Sequence, residues 1–409
     1  MCQRRLNAPV SVRVIASTLL LSALLAALGL AGQSPSGGAA PNPSGPSGEN
    51  LRAIFERAQR ALAAEDYAGA ERGFKEFLKL DPQSAAAYSN LGVVYLRTGK
   101  SKEAIQAFET ARKLDSNMVG VDLNLGLAYY RKQDFNQAVP YFERLLAAQP
   151  DSVQAHYLLG MSYFMLRKYG PEVTALEPIR DQEQDDLDFL YMLAIAYGQL
   201  KRSSDSVRTC EQLVRVGGDT PHLHLLLGKV YLDTYQNGKA QDELDKAVAG
   251  NPKLPFAHFD LGVLYQRLGQ LDLAAAEFEK EIAISPDEPW SYESRGTIWI
   301  DGGDADHAIP LFQKALALNP KMPDSLAGLG KAYLRQGKTE EAISCLKQAI
   351  ELEPGNGNYH YQLARAYLKT GQRDLAQQEF ALQQKYQNEA RQKQADQISG
   401  KLPPPAGPQ

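Results

Sequence analysis

The sequence is short of several things, and each shortage closes off a class of function. Three cysteines among 409 residues are too few for a disulfide scaffold. Forty-four basic residues against 48 acidic leave a net charge of -4, so no basic excess exists to neutralise phosphates, and nucleic acid is not the main partner. Beyond residue 31 no stretch is apolar enough to span a bilayer. There is no HExxH and no paired-cysteine motif for a metal, and nothing sets a nucleophile beside a base. No cofactor is implied. At 22% charged and 44% hydrophobic, what remains is a water-soluble body long enough for two or three ordinary domains.

The two ends read differently from that body. Arg4, Arg5 and Arg13 precede an uncharged stretch, Val14 to Ala31, that contains LLLSALLAALGLA and small residues at Gly29 and Ala31. This is the pattern of a secretory signal peptide. Eighteen uncharged residues also reach the lower limit of a spanning helix, so an uncleaved inner-membrane anchor over 14–31 is the alternative. Either way the body is expected outside the cytoplasm, periplasmic or in the cell envelope. Residues 32–50, GQSPSGGAAPNPSGPSGEN, and the final KLPPPAGPQ cannot bury enough apolar surface to offset their ordering entropy. They are expected to be a tether and a disordered tail.

Between them the chain repeats itself every 34 residues. Starting at Leu51, new repeats begin at 85, 119, 153, 187, 221, 255, 289, 323 and 357, so ten repeats of 34 give 340 residues, 51–390, without insertion or deletion. Slot eight is always small, from Ala58, Gly92 and Gly126 through to Gly330 and Ala364. Slot eleven is aromatic in all repeats but the first, where Ala61 departs. Slot twenty is alanine in eight repeats, slot twenty-four is large and apolar (Phe74, Phe108, Phe142), and slot thirty-two is often proline (Pro82, Pro150, Pro252). Slots four, seven, eight and eleven share one face of a first helix. The small residue at slot eight admits a second helix closely, and the proline stops that helix before the next repeat. Each helical hairpin leaves a face that only its neighbour can cover.

On these residues the chain resembles the tetratricopeptide repeat (TPR) family. The resemblance implies an all-α, right-handed solenoid of ten contiguous helix-turn-helix repeats, with a concave groove lined mainly by first helices.

The fourth repeat, 153–186, breaks the pattern. Its slot twenty is Glu172, and Pro178 falls inside its second helix, where proline costs about 3 kcal/mol. The acidic run EPIRDQEQDDLD follows. Residues 178–188 are read as a hinge, or alternatively as a shortened helix with a solvated acidic loop. Pro140 and Pro310 are read in the first turn of their helices, where proline is tolerated. Residues 391–409 extend the last helix as a cap and end in the tail.

Several features imitate active sites. His156, His224, His258 and His360 all occupy slot four, a recurrence that packing produces. His222 and His224 are two residues apart and cannot grip one metal from a single helical face. TGKS (98–101) and QGKT (336–339) lack the earlier glycine of a phosphate loop, holding Val94 and Ala332 there, and both follow helices. Cys210 and Cys345 read as small core residues.

The resemblance places slots two, five, six, nine, twelve and thirteen on the groove. Asn90 and Asn124 at slot six would bond a peptide backbone, as an asparagine ladder does in the repeats of O-GlcNAc transferase, but the ladder stops at Leu158 and Met192. Arg97 and Arg131 beside them suit a carboxylate. Tyr130, Tyr157, Met161, Met165, Tyr191 and Met192 suggest an adaptable apolar surface for a partner helix or peptide. Lys229, Lys331, Arg335, Arg365 and Lys369 make the later groove basic. The expected function is a non-catalytic protein-protein interaction scaffold of the envelope. Self-association is an alternative. A recruiting arm of a glycosyltransferase-type enzyme is a remoter one, since only 19 residues follow the last repeat.

Overall fold

The computed structural model describes residues 46–398. Residues 1–31, read as a signal peptide or anchor, the first part of the stretch read as a tether and residues 399–409 lie outside the described residues. Within them the chain is all α-helix save turns and one short 3-10 segment, with no strand. The helices pair as the repeat requires. The first three hairpins are α1 (Pro46–Ala63) with α2 (Tyr67–Leu80), α3 (Ala85–Arg97) with α4 (Ser101–Leu114), and α5 (Val119–Arg131) with α6 (Phe135–Ala148). Next come α7 (Val153–Met165) with α8 (Tyr169–Leu176), and α9 (Leu187–Gln199) with α10 (Ser203–Gly217). The later five hairpins are α11 (Pro221–Asp233) with α12 (Asn237–Gly250), α13 (Ala257–Arg267) with α14 (Leu271–Ile284), and α15 (Pro289–Asp301) with α16 (Ala305–Leu318). Then follow α17 (Pro323–Arg335) with α18 (Thr339–Leu352), and α19 (Gly357–Lys369) with α20 (Arg373–Ile398). Helix α1 starts at Pro46, inside the stretch read as tether, with proline in the first position that needs no N–H.

The chain divides into two compact bodies between Thr209 and Cys210. In the first, α4 packs on α5 and α6 on α7, so each second helix is covered by the next first helix. In the second, α12 packs on α13, α14 on α15, α16 on α17 and α18 on α19 in the same manner.

The sequence slots explain this packing. A Cβ added to Gly92 would lie 2.6 Å from the Phe108 ring, and one on Gly126 2.4 Å from Phe142, closer than two carbons can approach. Slot eight is therefore small because slot twenty-four of the same repeat presses on it. The alanines of slot twenty, Ala70, Ala104, Ala138 and their counterparts, are wholly buried. Slot eleven holds more than a space-filler. The tyrosine hydroxyl donates to the slot twenty-five carboxylate of the preceding repeat, from Tyr129 to Glu109 (3.1 Å), Tyr163 to Glu143 (2.6 Å), Tyr197 to Glu177 (3.0 Å) and Tyr231 to Glu211 (2.6 Å). This ladder ties successive hairpins together, and its rungs are part of what selects tyrosine over phenylalanine.

The turn between helices of a hairpin places slot fifteen in the left-handed region. Gly99 and Gly337 occupy it with φ of 77° and 78°, so the two phosphate-loop imitations are helix-ending glycines. Glu65, Gln133, Arg167, Lys201 and Tyr235 adopt the same conformation without being glycine.

The fourth hairpin departs as its sequence does. Helix α8 has eight residues where α6 has 14, and it gives way at Glu177 to a 3-10 turn carrying Pro178. That turn is anchored: Ile179 is buried, and Arg180 donates to Tyr197 Oη (3.4 Å) and Thr209 Oγ1 (3.2 Å). The stretch 178–188 lies wholly within the first body. Glu172 is 0% exposed, and neither carboxyl oxygen has a hydrogen-bond partner. Burial pushes its pKa up to about 9, so in neutral water it is a carboxylic acid. Pro140 and Pro310 do not sit in a first turn: each is the sixth residue of its helix. The carbonyls they leave without a partner, those of Asn136 and Asp306, belong to exposed residues, where water takes the bond.

Candidate functional site

The residues expected to line a groove fall on the first helices α3, α5, α7 and α9 of the first body. Helix α7 starts where Ser152 accepts a hydrogen bond from Ala155 N (3.2 Å), and α9 where Asp186 accepts one from Phe189 N (2.7 Å). These caps fix the two helices whose facing sides form the seam. α7 and α9 touch directly, and Phe164 meets Tyr191 edge to face at 6.4 Å.

The predicted residues meet three fates. Asn90, Tyr130, Met161 and Met192 are buried. The Asn90 amide donates to Ala86 O one turn back in its own helix (3.0 Å), and Met161 and Met192 are buried side chains of α7 and α9. Asn124, Arg131, Tyr157 and Tyr191 are half-buried, whereas Arg97 and Met165 are exposed, Met165 at 38%. Tyr130 packs edge to face on Phe135 (5.0 Å) and Tyr157 stacks on Phe189 (6.1 Å). The Arg131 guanidinium donates to the Leu96 carbonyl at the end of α3. Burial first, and the like charge of Arg97 second, lower its pKa. In the second body Arg267 and Lys369 make the equivalent bond to Leu232 O and Leu334 O. Slot thirteen thus caps the preceding first helix at its electronegative end. The later basic groove is similarly engaged: Lys331 pairs with Asp301 at 2.6 Å.

Three residues missed by the sequence reading belong here. Asp186, read only as part of an acidic loop, accepts the Tyr157 hydroxyl at 3.1 Å. Burial foremost, then the charges of Asp186 and Asp188, hold the Tyr157 hydroxyl well above the usual phenol range. Burial and then Asp188 do the same to Tyr130. Asp188 and Glu183 are themselves raised, by burial and then by the Asp186 carboxylate. Tyr157 therefore lies under the negative charge of Asp186 and Asp188, while Tyr191 and Ile195 of α9 are half-buried and Met165 at the end of α7 is exposed. The slot pattern could have found Asp188, which falls at slot two of the fifth repeat.

Cys210 is buried, which pushes its thiol up to about 12, far from a reactive thiolate. Among the described residues no group of three His, Cys, Asp or Glu side chains is arranged to hold a metal, and no helix is long and apolar enough to cross a membrane.

Comparison with known proteins places the repeat. Family models described as tetratricopeptide repeat match residues 55–118, 123–176 and 225–289, and 300–360 and 334–396. No curated protein matches the chain. Among solved structures, it is similar to the Cut9–Hcn1 APC/C hetero-tetramer at 15% identity, covering 83% of this chain and 87% of that one, with a TM-score of 0.49. It is similar to yeast Tom70 at 14% identity, 86% and 99% coverage and a TM-score of 0.37. It is also similar to YrrB, described as a TPR protein with an unusual peptide-binding site, at 18% identity, 44% and 94% coverage and a TM-score of 0.39.

Proposed function

The chain belongs to the tetratricopeptide repeat family, and from that premise we propose that it is a non-catalytic scaffold whose groove along α5, α7 and α9 captures a partner segment both apolar and basic. The observation that carries this reading is the cluster of Tyr157 and Tyr130 with Asp186 and Asp188, on first helices that also carry half-buried Tyr191 and Ile195 and exposed Met165. Carboxyls raised by burial and by one another gain from the arrival of a cation, and the thioether and aromatic side chains of the same helices accept varied apolar shapes. A lysine or arginine set among leucines or aromatics on a partner helix or strand supplies both. The proposed place of work is the cell envelope, reached through residues 1–31.

A photo-crosslinking residue at Met165 or Tyr191 in the full chain, expressed in its native cells, tests the reading. The expected result is crosslinking to one protein through a segment rich in Lys or Arg. Asp188→Lys should abolish it while leaving the helical content unchanged. Crosslinking undiminished by Asp188→Lys, or through an acidic segment, would refute it.

A further inference from the structure

The hairpin of α19 and α20 is the last of the described helices, and one of its faces differs from the same face earlier in the second body. There each first helix packs on the hairpin before it, α13 on α11 and α12, and α19 on α17 and α18. At slot five Phe259, Glu293 and Ala327 are 6% exposed or less, whereas Tyr361 is 43% exposed. At slot twelve Leu232 and Ile300 are 2% exposed and Leu368 is 50% exposed. At slot twenty-four Phe278 and Phe312 are wholly buried, while Phe380, 6.0 Å from the Tyr361 ring, is half-buried. The earlier counterparts are covered by a helix. Trp290 and Ile298 of α15 pack on Phe259 and Phe278, and Gly328 of α17 lies so close to Phe312 that a Cβ would come within 2.4 Å of the ring.

The charge of this face narrows what fits it. Slot nine lies between slots five and twelve on one side of the helix, and on α19 it is Arg365. Its guanidinium lies 5.9 Å from the centre of the Tyr361 ring and, among the described residues, meets no carboxylate. Lys331, in the same slot of α17, has Asp301. Slot twenty-five, Glu211 in the fifth repeat, is exposed Ala381 here, so the face is apolar and cationic. The sixth repeat shows how such a face is closed. Its slot nine is also a cation, Lys229. The helix that follows, α13, brings buried Asp260 at slot six, wholly buried Leu264 at slot ten, and Arg267 at slot thirteen, which donates to Leu232 O near the end of α11. Leu368 O is the corresponding acceptor on α19.

We propose that the face made by Tyr361, Arg365, Leu368 and Phe380 is a docking surface separate from the groove of the first body, and that its occupant is an amphipathic helix of a partner protein. That helix carries an acid to meet Arg365, an apolar residue four positions on to lie against Tyr361 and Phe380, and a cation three beyond that to reach Leu368 O. It continues the helix-on-helix interface that runs through the second body, with the partner in the place that α13 takes on α11 and α12. A second copy of this chain is a poorer match. Two such faces meeting about a two-fold axis set Arg365 and Lys369 against the same cations. Helix α1, the first helix of the first body, holds Arg60 at slot ten, where α13 has Leu264.

The probe is a synthetic peptide of residues 254–268, which contains α13, stapled to hold it helical and labelled for fluorescence anisotropy with the full chain. Saturable binding is expected. Asp260→Lys in the peptide should weaken it about tenfold, Arg365→Glu in the protein should do the same, and the two together should restore it. Leu368→Asp should abolish binding with the helical content unchanged. A benzophenone amino acid at position 381 of the full chain locates the contact, and it should crosslink to the peptide. The proposal is overturned by no binding, by binding indifferent to both charge reversals, or by crosslinks from position 381 to a second copy or to residues 399–409 of the same chain. Should a variant fail to fold, the unaltered chain with the two peptides decides.

Discussion

Glu172 allows the cost of burying a charge to be measured apart from the cost of burying a shape. Its carboxyl occupies the slot that alanine fills in eight repeats, is wholly buried, and finds no hydrogen-bond partner. In the unfolded chain it ionises near 4.5; in the folded chain burial holds it protonated up to about 9. Between those values folding takes up a proton, so stability falls as the pH rises, by about 1.4 kcal/mol for each pH unit. The accumulated loss at pH 7 is about 3 kcal/mol, a large share of the stability of an ordinary domain. Glutamine keeps the volume and the unpartnered polar atoms but cannot ionise. Glu172→Gln should therefore match the unaltered protein near pH 4.5 and exceed it progressively above. The assay is denaturant unfolding by circular dichroism over a pH series, joined to hydrogen exchange of α7 and α8. Tryptophan fluorescence would not serve, because Trp290 and Trp299 both lie in the second body. Histidine titration elsewhere is common to both proteins and cancels in the difference. Two stability curves that run parallel from about pH 5 to about pH 8 would refute the reasoning.

Three further substitutions test the fold. Gly126→Ala should destabilise the first body by about 1–3 kcal/mol, since its Cβ would meet the Phe142 ring at 2.4 Å; an unchanged midpoint of urea unfolding would contradict the close-approach reading of slot eight. Tyr197→Phe removes the bond to Glu177 and should cost about 1 kcal/mol, read as a lowered melting temperature in comparison with Tyr235→Phe, whose exposed ring makes no rung of the ladder. Lys201→Gly, at φ 57°, should stabilise by about 0.5–1 kcal/mol because glycine adopts the left-handed conformation without strain. A loss of stability there would show that the entropy of the unfolded chain outweighs the strain.

How much of this was legible in the sequence differs sharply between fold and site. The hairpins were legible because each slot answers a local demand that recurs: Gly126 against Phe142 is repeated as Gly92 against Phe108. The irregular fourth hairpin was legible for the same reason, since Glu172 and Pro178 violate slots whose demand was known. The groove was not. Assigning Met161 and Met192 to a surface assumed that every repeat exposes the same slots, but both are buried here and of the three methionines only Met165 is exposed. The charge of the site was misjudged too. Arg131 was read with Arg97 as suiting a carboxylate because both stand beside the asparagines; its partner, the Leu96 carbonyl, lies 35 residues back, and a backbone oxygen leaves no mark in the sequence.

Side chain pairs do leave such a mark, and a repeat protein supplies it from a single chain. Of the four repeats with histidine at slot four, three carry glutamate at slot twenty-three: His224 with Glu243, His258 with Glu277, His360 with Glu379. The six remaining repeats hold Ile54, Tyr88, Asp122, Leu190, Tyr292 and Leu326 at slot four, and none has an acid at slot twenty-three. Reading each slot separately makes the histidines look like packing residues chosen for their shape. Reading the two slots together shows a residue present only with its partner, which is the signature of contact between the helices of one hairpin. The exception, His156 with Ala175, falls in the repeat where the glutamate appears three residues earlier as Glu172, one turn away on the same face of α8. The misplaced acid and the unmatched histidine are thus two sides of one displacement. It leaves Glu172 without a partner and His156 bonded to backbone alone.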